Sequence, residues 1–362
     1  MKRRQFLTAA GVGAAASAVA MPAVAQSMPE MRWRLSSGFP KSLDTLYGAG
    51  ETFAKYVAEM TDNKFQIQAF GAGEIVGTFQ ALDAVSNGTI ECAHTASYYY
   101  VGKDPTFAIP CAIPFGLNAR QMNAWMYHGG GMDLANEFYA KHGLFALPAV
   151  NTGTQMGGWF RKEIKTVDDL KGVKMRIAGI AGQVMAKLGV VPQQLAGGDI
   201  YPALERGTID SAEWVGPYDD EKLGFVKVAP YYYYPGWWEG GPMFHVYFNQ
   251  QKWNDLPKLY KDIAMSAAAH ANVDAQAKYD ARNPAALRRL VSAGAQLRPY
   301  SPELMEAAYK AANELYDELS AKSADWKKLY DSMRAFRNEE YLWFQVAEYT
   351  YDNFMIRARA RG

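Results

Sequence analysis

Arg176 lies in the run Lys174-Met175-Arg176-Ile177-Ala178, an arginine inside a short, largely apolar strand pattern. A guanidinium there is costly to bury unless it meets an anion. Its planar fork matches a carboxylate through two parallel hydrogen bonds, which lysine cannot copy. A solvated strand-end arginine or an internal Arg–Asp pair would fit the same pattern, and both readings stay open at this point. Two glutamates stand against tryptophan, in Glu213-Trp214 and Trp237-Trp238-Glu239. A lone glutamate is by default a surface acid. If both instead face Arg176 and a bound carboxylate, three acids meet one base and the surplus negative charge repels the ligand. A hard cation among oxygen donors removes the conflict; calcium would neutralise the set fully and sodium only in part. Tyr98-Tyr99-Tyr100 offers three hydroxyls at the end of a strand-like run. By alternation Tyr98 and Tyr100 face one way and Tyr99 the other.

Other chemistries find little support. There is no G-x-S-x-G elbow, no H-E-x-x-H and no phosphate-binding G-x-x-x-x-G-K-[ST] pattern. Gly71-Ala72-Gly73 lacks the third glycine of a dinucleotide loop. The five histidines (His94, His128, His142, His245 and His270) are scattered, with no metal-ligand spacing. Two cysteines, Cys92 and Cys111, rule out a disulfide scaffold and a multi-thiolate centre. The 38 Lys and Arg against 37 Asp and Glu give +1 overall, so no bulk field draws nucleic acid. Aromatics make up 14% of the chain, enough to wall a ligand pocket.

The elements that must position these residues read as α/β. Strands are expected at 31–37, 65–70 and 90–95, with helices at 44–60 and 79–86 between them. The order resumes with strands at 144–150, 173–177, 190–195 and 209–215 and helices at 182–188 and 201–206. A strand at 242–249, a long helix at 256–279 and helices at 302–319 and 326–356 complete the pattern. At 362 residues two domains are expected. We expect the first over 26–152 plus 241–280 and the second over 153–240 plus 281–324. The segments 151–157 and 214–218 are read as the crossings of a hinge, with a ligand cleft between the domains. The tail 325–362 carries Trp343, Phe344, Ala347, Tyr351 and Phe354 at helical steps, a stripe that something must cover.

Four stretches carry a family resemblance: GEIVGTFQALDAVSNGTIECAHTASYYY (73–100), KGVKMRIAG (171–179), LAGGDIYPALERGTIDSAEWVGPYDD (195–220) and YYYYPGWWEGG (231–241). The mature chain resembles the extracytoplasmic solute-binding subunit of a TRAP transporter, of the DctP type. EWVGPYDD and PGWWE are similar to the branch that binds small 2-oxo or 2-hydroxy monocarboxylates with a metal ion. The resemblance implies a two-domain solute-binding fold, a membrane permease as partner, and Arg176 as the carboxylate clamp. It implies a sodium or calcium ion held by Glu213, Glu239, the Trp214 backbone oxygen and the Gln155 amide oxygen. It also implies a tyrosine hydroxyl on the ligand, with Tyr100 preferred over Tyr98, while Trp214, Trp237 and Trp238 could wall the site. Members of this branch can dimerise by exchanging a C-terminal helix, which would cover the aromatic tail. The other class of reading is an exported metal-dependent enzyme, of lyase type, using the same arginine, acids and ion to polarise a 2-oxo group; no nucleophile or convincing general base supports it.

The chain opens Met1-Lys2-Arg3-Arg4-Gln5-Phe6-Leu7, followed by a short apolar run and Ala23-Val24-Ala25. That is an export leader, similar to a twin-arginine signal and too short for a permanent span. Cleavage after Ala25 removes three positive charges and no acid, and delivers the product to the periplasm. There Cys92 and Cys111 could bridge, although two separate buried thiols are the plainer expectation.

Overall fold

The computed structural model describes residues 28–359; the leader lies outside them. Two mixed sheets form the frame. The first half of the chain runs β1 (Met31–Ser37), α1 (Leu46–Met60), β2 (Phe65–Phe70), α2 (Ala81–Ser86), β3 (Cys92–Thr95), α3 (Ala119–His128), α4 (Gly131–Ala140) and β4 (Leu144–Asn151). It continues with β5 (Trp159–Phe160), β6 (Lys174–Arg176), α5 (Gly179–Lys187), β7 (Val191–Gln193), α6 (Gly197–Glu205), β8 (Ser211–Ala212), α7 (Pro217–Leu223) and β9 (Tyr231–Tyr234). The chain ends with β10 (Met243–Asn249), α8 (Gln250–Asp255), α9 (Lys258–Ser292), β11 (Gln296–Pro299), α10 (Pro302–Lys322), α11 (Ala324–Val346) and α12 (Glu348–Arg359).

The first sheet has the order β2-β1-β3-β10-β4, and the second β11-β9-β5-β8-β6-β7. In the first, β1 pairs parallel with β2 and β3, while β10 runs antiparallel between β3 and β4. Period-2 alternation sends Trp33 and Leu35 of β1, with Phe65 and Ile67 of β2, into one apolar cluster with α1 and α9. Trp33 meets Phe65 edge-on at 4.9 Å, and Phe145 stacks on Trp253 at 4.1 Å. In the second sheet Trp159 of β5 stacks on Tyr232 of β9 at 3.8 Å.

The chain passes between the sheets through 152–158, through 235–242, and along α9. The expected crossing at 214–218 is therefore corrected: it joins β8 to α7 within the second half and runs along the boundary. Three further differences have physical causes. The long helix does not stop at Tyr279 but runs 35 residues through Pro284 to Ser292, its later turns held against α7. The C-terminal helix breaks at Ala347 into α11 and α12. Tyr98–Tyr100 belongs to a 3-10 turn (Ser97–Tyr100) after β3, so side chains fan out by about 120° per residue and do not alternate. Cys92 and Cys111 are both buried and unbridged. Among the described residues no helix is long and apolar enough to cross a membrane.

Candidate functional site

Arg176 ends β6, beside Ala212 of β8, and only 1% of it is exposed. Its Nε donates to the Leu195 carbonyl (3.1 Å), and Nη1 donates to the Glu213 carbonyl (2.9 Å) and ion-pairs with the Glu213 carboxylate. Nη2 has only the Tyr99 hydroxyl, at 3.5 Å. The guanidinium carbon lies 5.0 Å from the Trp214 ring. So the internal ion pair left open by the sequence exists, with Glu213 rather than an aspartate. One edge of the fork is nonetheless free to take an anion. Burial works against the guanidinium's charge, but Glu213, Tyr99, Tyr98 and Glu239 together outweigh it and keep the proton held more tightly than usual.

Glu213 and Trp214 follow β8 directly, and the Glu213 amide donates to the Arg176 carbonyl at 3.1 Å. Gln155 and Glu239 come from the two loop crossings. These loops are tied by bonds from the Gln155 amide to the Glu239 carbonyl (3.1 Å) and from the Gly236 amide to the Gln155 carbonyl (2.9 Å). A Cβ on Gly236 would come within 2.6 Å of the Gln155 and Met156 carbonyl oxygens, so glycine permits this approach. Glu213 Oε2, Glu239 Oε2 and Gln155 Oε1 are all buried without a protein partner. Burial, then the charge of Glu213, pushes the Glu239 carboxyl well above the usual carboxylate range. Three orphaned acceptor oxygens from separate segments suit a hard cation and suit no buried apolar packing. Among the described residues no group of three or more His, Cys, Asp or Glu forms a metal cluster; the unpartnered oxygens here belong to two carboxylates and one side-chain amide.

The first half supplies the opposite wall. The Tyr98 hydroxyl lies against the Glu239 carboxyl, and Tyr99 reaches Arg176. Tyr99 is held by burial at a pKa of about 12, so it stays a hydroxyl donor. Tyr100, the preferred tyrosine, points elsewhere: its hydroxyl accepts from the Leu82 amide (3.2 Å) and donates to the Thr78 carbonyl (3.3 Å). The 3-10 turn rotates it away from Arg176 and puts Tyr99, which the alternation argument set aside, in its place. Phe39, Leu46, Val215 and Phe244 pack around Arg176, Tyr98, Tyr99 and Trp214 and leave only a narrow gap, too tight for a water molecule. Roomier hollows lie on the outer surface, away from these groups. Trp237 stacks on Phe115 at 5.2 Å, and Trp238 is fully buried beside it.

Two α/β halves meeting over a buried arginine and an acidic oxygen cradle form the frame of a solute receptor. The chain belongs to the bacterial extracellular solute-binding protein family 7 (DctP), whose profile matches residues 36–323. It is 51% identical, over 98% of its length and 99% of the other's, to a monocarboxylate 2-oxoacid-binding periplasmic protein of Nostoc. A TRAP transporter solute-binding protein of Bordetella bronchiseptica superposes with a TM-score of 0.91 at 50% identity, covering 92% of this chain and 99% of that one. That structure is a mixed-occupancy dimer, with copurified calcium and picolinate in one site. A Pseudoalteromonas atlantica TRAP periplasmic solute-binding protein with bound sodium and pyruvate superposes with a TM-score of 0.87 at 38% identity, covering 90% of this chain and 99% of that one. The family is one of transport receptors, not of enzymes.

Proposed function

We propose that this protein is exported to the periplasm, takes up a small 2-oxo or 2-hydroxy monocarboxylate together with a sodium or calcium ion, and delivers it to a TRAP permease. The observation that carries the reading is a buried Arg176 paired with Glu213, together with three unpartnered buried oxygens, those of Glu213, Glu239 and Gln155. Arg176 Nη2 and the Tyr99 hydroxyl hold the ligand carboxylate. Glu213, Glu239, Gln155 and the Trp214 carbonyl would hold the cation, which supplies positive charge to the carboxylate and the neighbouring 2-oxygen. Tyr98 orients Glu239. The apolar residues of the gap limit the ligand to a small acid.

The ligand touches both halves only when they are together, so binding favours closure. The proposed lobes are 26–152 plus 241–280 and 153–240 plus 281–324. The tail 325–362 acts as a dimerisation element: Leu342, Trp343, Val346, Phe354 and Ile356 are each 59–70% exposed in the single chain, and a dimer of a close relative supports a second copy as their cover.

Melting of chelator-stripped protein tests the site. Pyruvate and calcium together are expected to raise the melting temperature, in line with about 2.7 kcal/mol at a hundredfold excess over Kd, and either alone much less. Glu239→Gln should lose the calcium requirement or the response. Equal melting with and without both ligands, or conversion of pyruvate seen by mass spectrometry, would overturn the reading.

A further inference from the structure

Thr45 occupies the N-cap position of α1, where a threonine hydroxyl ordinarily accepts from its own helix's amides. Here the hydroxyl makes no such bond. It donates instead to Asp219 Oδ1, 174 residues away in the second half, at 2.6 Å. Asp219 Oδ2 accepts from the Tyr279 hydroxyl of α9 at 2.7 Å. Both Thr45 and Asp219 are buried, and among the described residues no cation forms a salt bridge to this carboxylate. Next to Thr45, Asp44 ion-pairs with Lys222 of α7 and accepts from the Tyr218 hydroxyl at 3.2 Å. Lys278 of α9 donates to the Asp44 carbonyl at 3.0 Å. Thr45 directly precedes Leu46, and Asp219 follows Val215 by four residues; Leu46 and Val215 both line the gap. The bonded pair therefore stands immediately behind the ligand position and joins the two walls.

From this geometry we infer that Asp44-Thr45 and Asp219-Lys222 form a latch between the two walls, behind the ligand position, a set of positioning residues that retains the ligand without touching it. It rests on the binding reading above only for its kinetic readout. A diverted cap hydroxyl gains nothing for α1, and the carboxylate that it bonds belongs to the other half. The latch thus acts after encounter and slows release. A hydrogen bond to a charged group changes an equilibrium by about tenfold.

The test compares wild type with Thr45→Val, Thr45→Ser and Asp44→Asn by stopped-flow release of pyruvate in excess calcium, and by small-angle scattering of each protein without ligand. Thr45→Val should release pyruvate about tenfold faster with its association rate within about twofold of wild type, and Thr45→Ser should restore slow release. Asp44→Asn, which changes an exposed side chain and keeps the fold, should release several-fold faster. The ligand-free radius of gyration should grow in Thr45→Val but not in Thr45→Ser. Release within about twofold of wild type in both Thr45→Val and Asp44→Asn, or an equal change in the Val and Ser variants, overturns the latch. If wild type binds no pyruvate, the ligand assignment fails alone, and the scattering still decides: a larger radius in Thr45→Val only supports the latch, and identical radii reject it.

Discussion

At the scale of the residue, Arg176 and Glu213 act as one group. Truncating either strands the other as a buried unpaired charge, at a cost of about 3–5 kcal/mol, so a lost ligand response in Arg176→Ala would mix binding with folding. His94 offers a cleaner probe. It is fully buried in β3, neither ring nitrogen has a protein partner, and it packs against Phe39 of the gap at 5.4 Å. Burial lowers its pKa from 6.5 to about 3. The unfolded chain thus takes a proton that the folded one refuses. The stability this histidine permits is complete above pH 6.5 and falls as the pH drops toward 3. His94→Leu should gain on wild type by about 1.4 kcal/mol per pH unit through that window, as read by urea unfolding at pH 7, 6 and 5. A pH-independent difference would refute the assignment. Asp219 and Asp220 show the opposite shift, raised by burial to about 6 and about 7.

At the scale of the element, the second half places its chemistry where strands end and loops cross, and Gly179 shows how tight the fit is. It opens α5 with φ +66°, and a Cβ there would lie 2.9 Å from the Tyr98 Cβ of the first half. Gly179→Ala should weaken pyruvate binding about tenfold through backbone strain and a displaced Tyr98; calorimetry giving wild-type affinity would refute this. Much of the positioning was legible beforehand. The strands at 31–37 and 65–70 follow from alternation, and Arg176, Glu213 and Glu239 from the incongruity of charge in apolar surroundings. Tyr99 was missed because the strand pattern of Cys92–Thr95 gives no sign of turning into a 3-10 turn. α3 and α4 went unread, although Asn118 and Gln121 form a capping box before α3 that could have marked it. β9 went unread because a four-tyrosine run beside Pro235 shows no alternation of polarity. The end of α9 was misplaced because Pro284 looks like a terminator, while α7 holds the helix on course.

At the scale of the whole molecule, pattern reading reached the two α/β halves but not which bonds join them, since Thr45 and Asp219 carry no local mark of each other. The tail is legible as an amphipathic stripe, and its inner part does pack at home: Trp326, Leu329, Tyr330 and Met333 of α11 are buried. From Tyr341 onward the apolar residues face solvent, apart from an Arg120–Phe344 contact at 5.0 Å. A chain ending at residue 340 should elute as a monomer and still bind ligand, whereas the full chain should scatter light as a dimer. Equal masses would reject the tail as the dimer contact.

The unbroken α9 has a consequence for how the molecule can be taken apart. Its early turns lie against α1 and β4 and its later ones against α7, so neither half owns it. Cutting the gene at any single point would leave at least one fragment without its supporting beam, and co-expressed halves should complement only when the cut spares this helix.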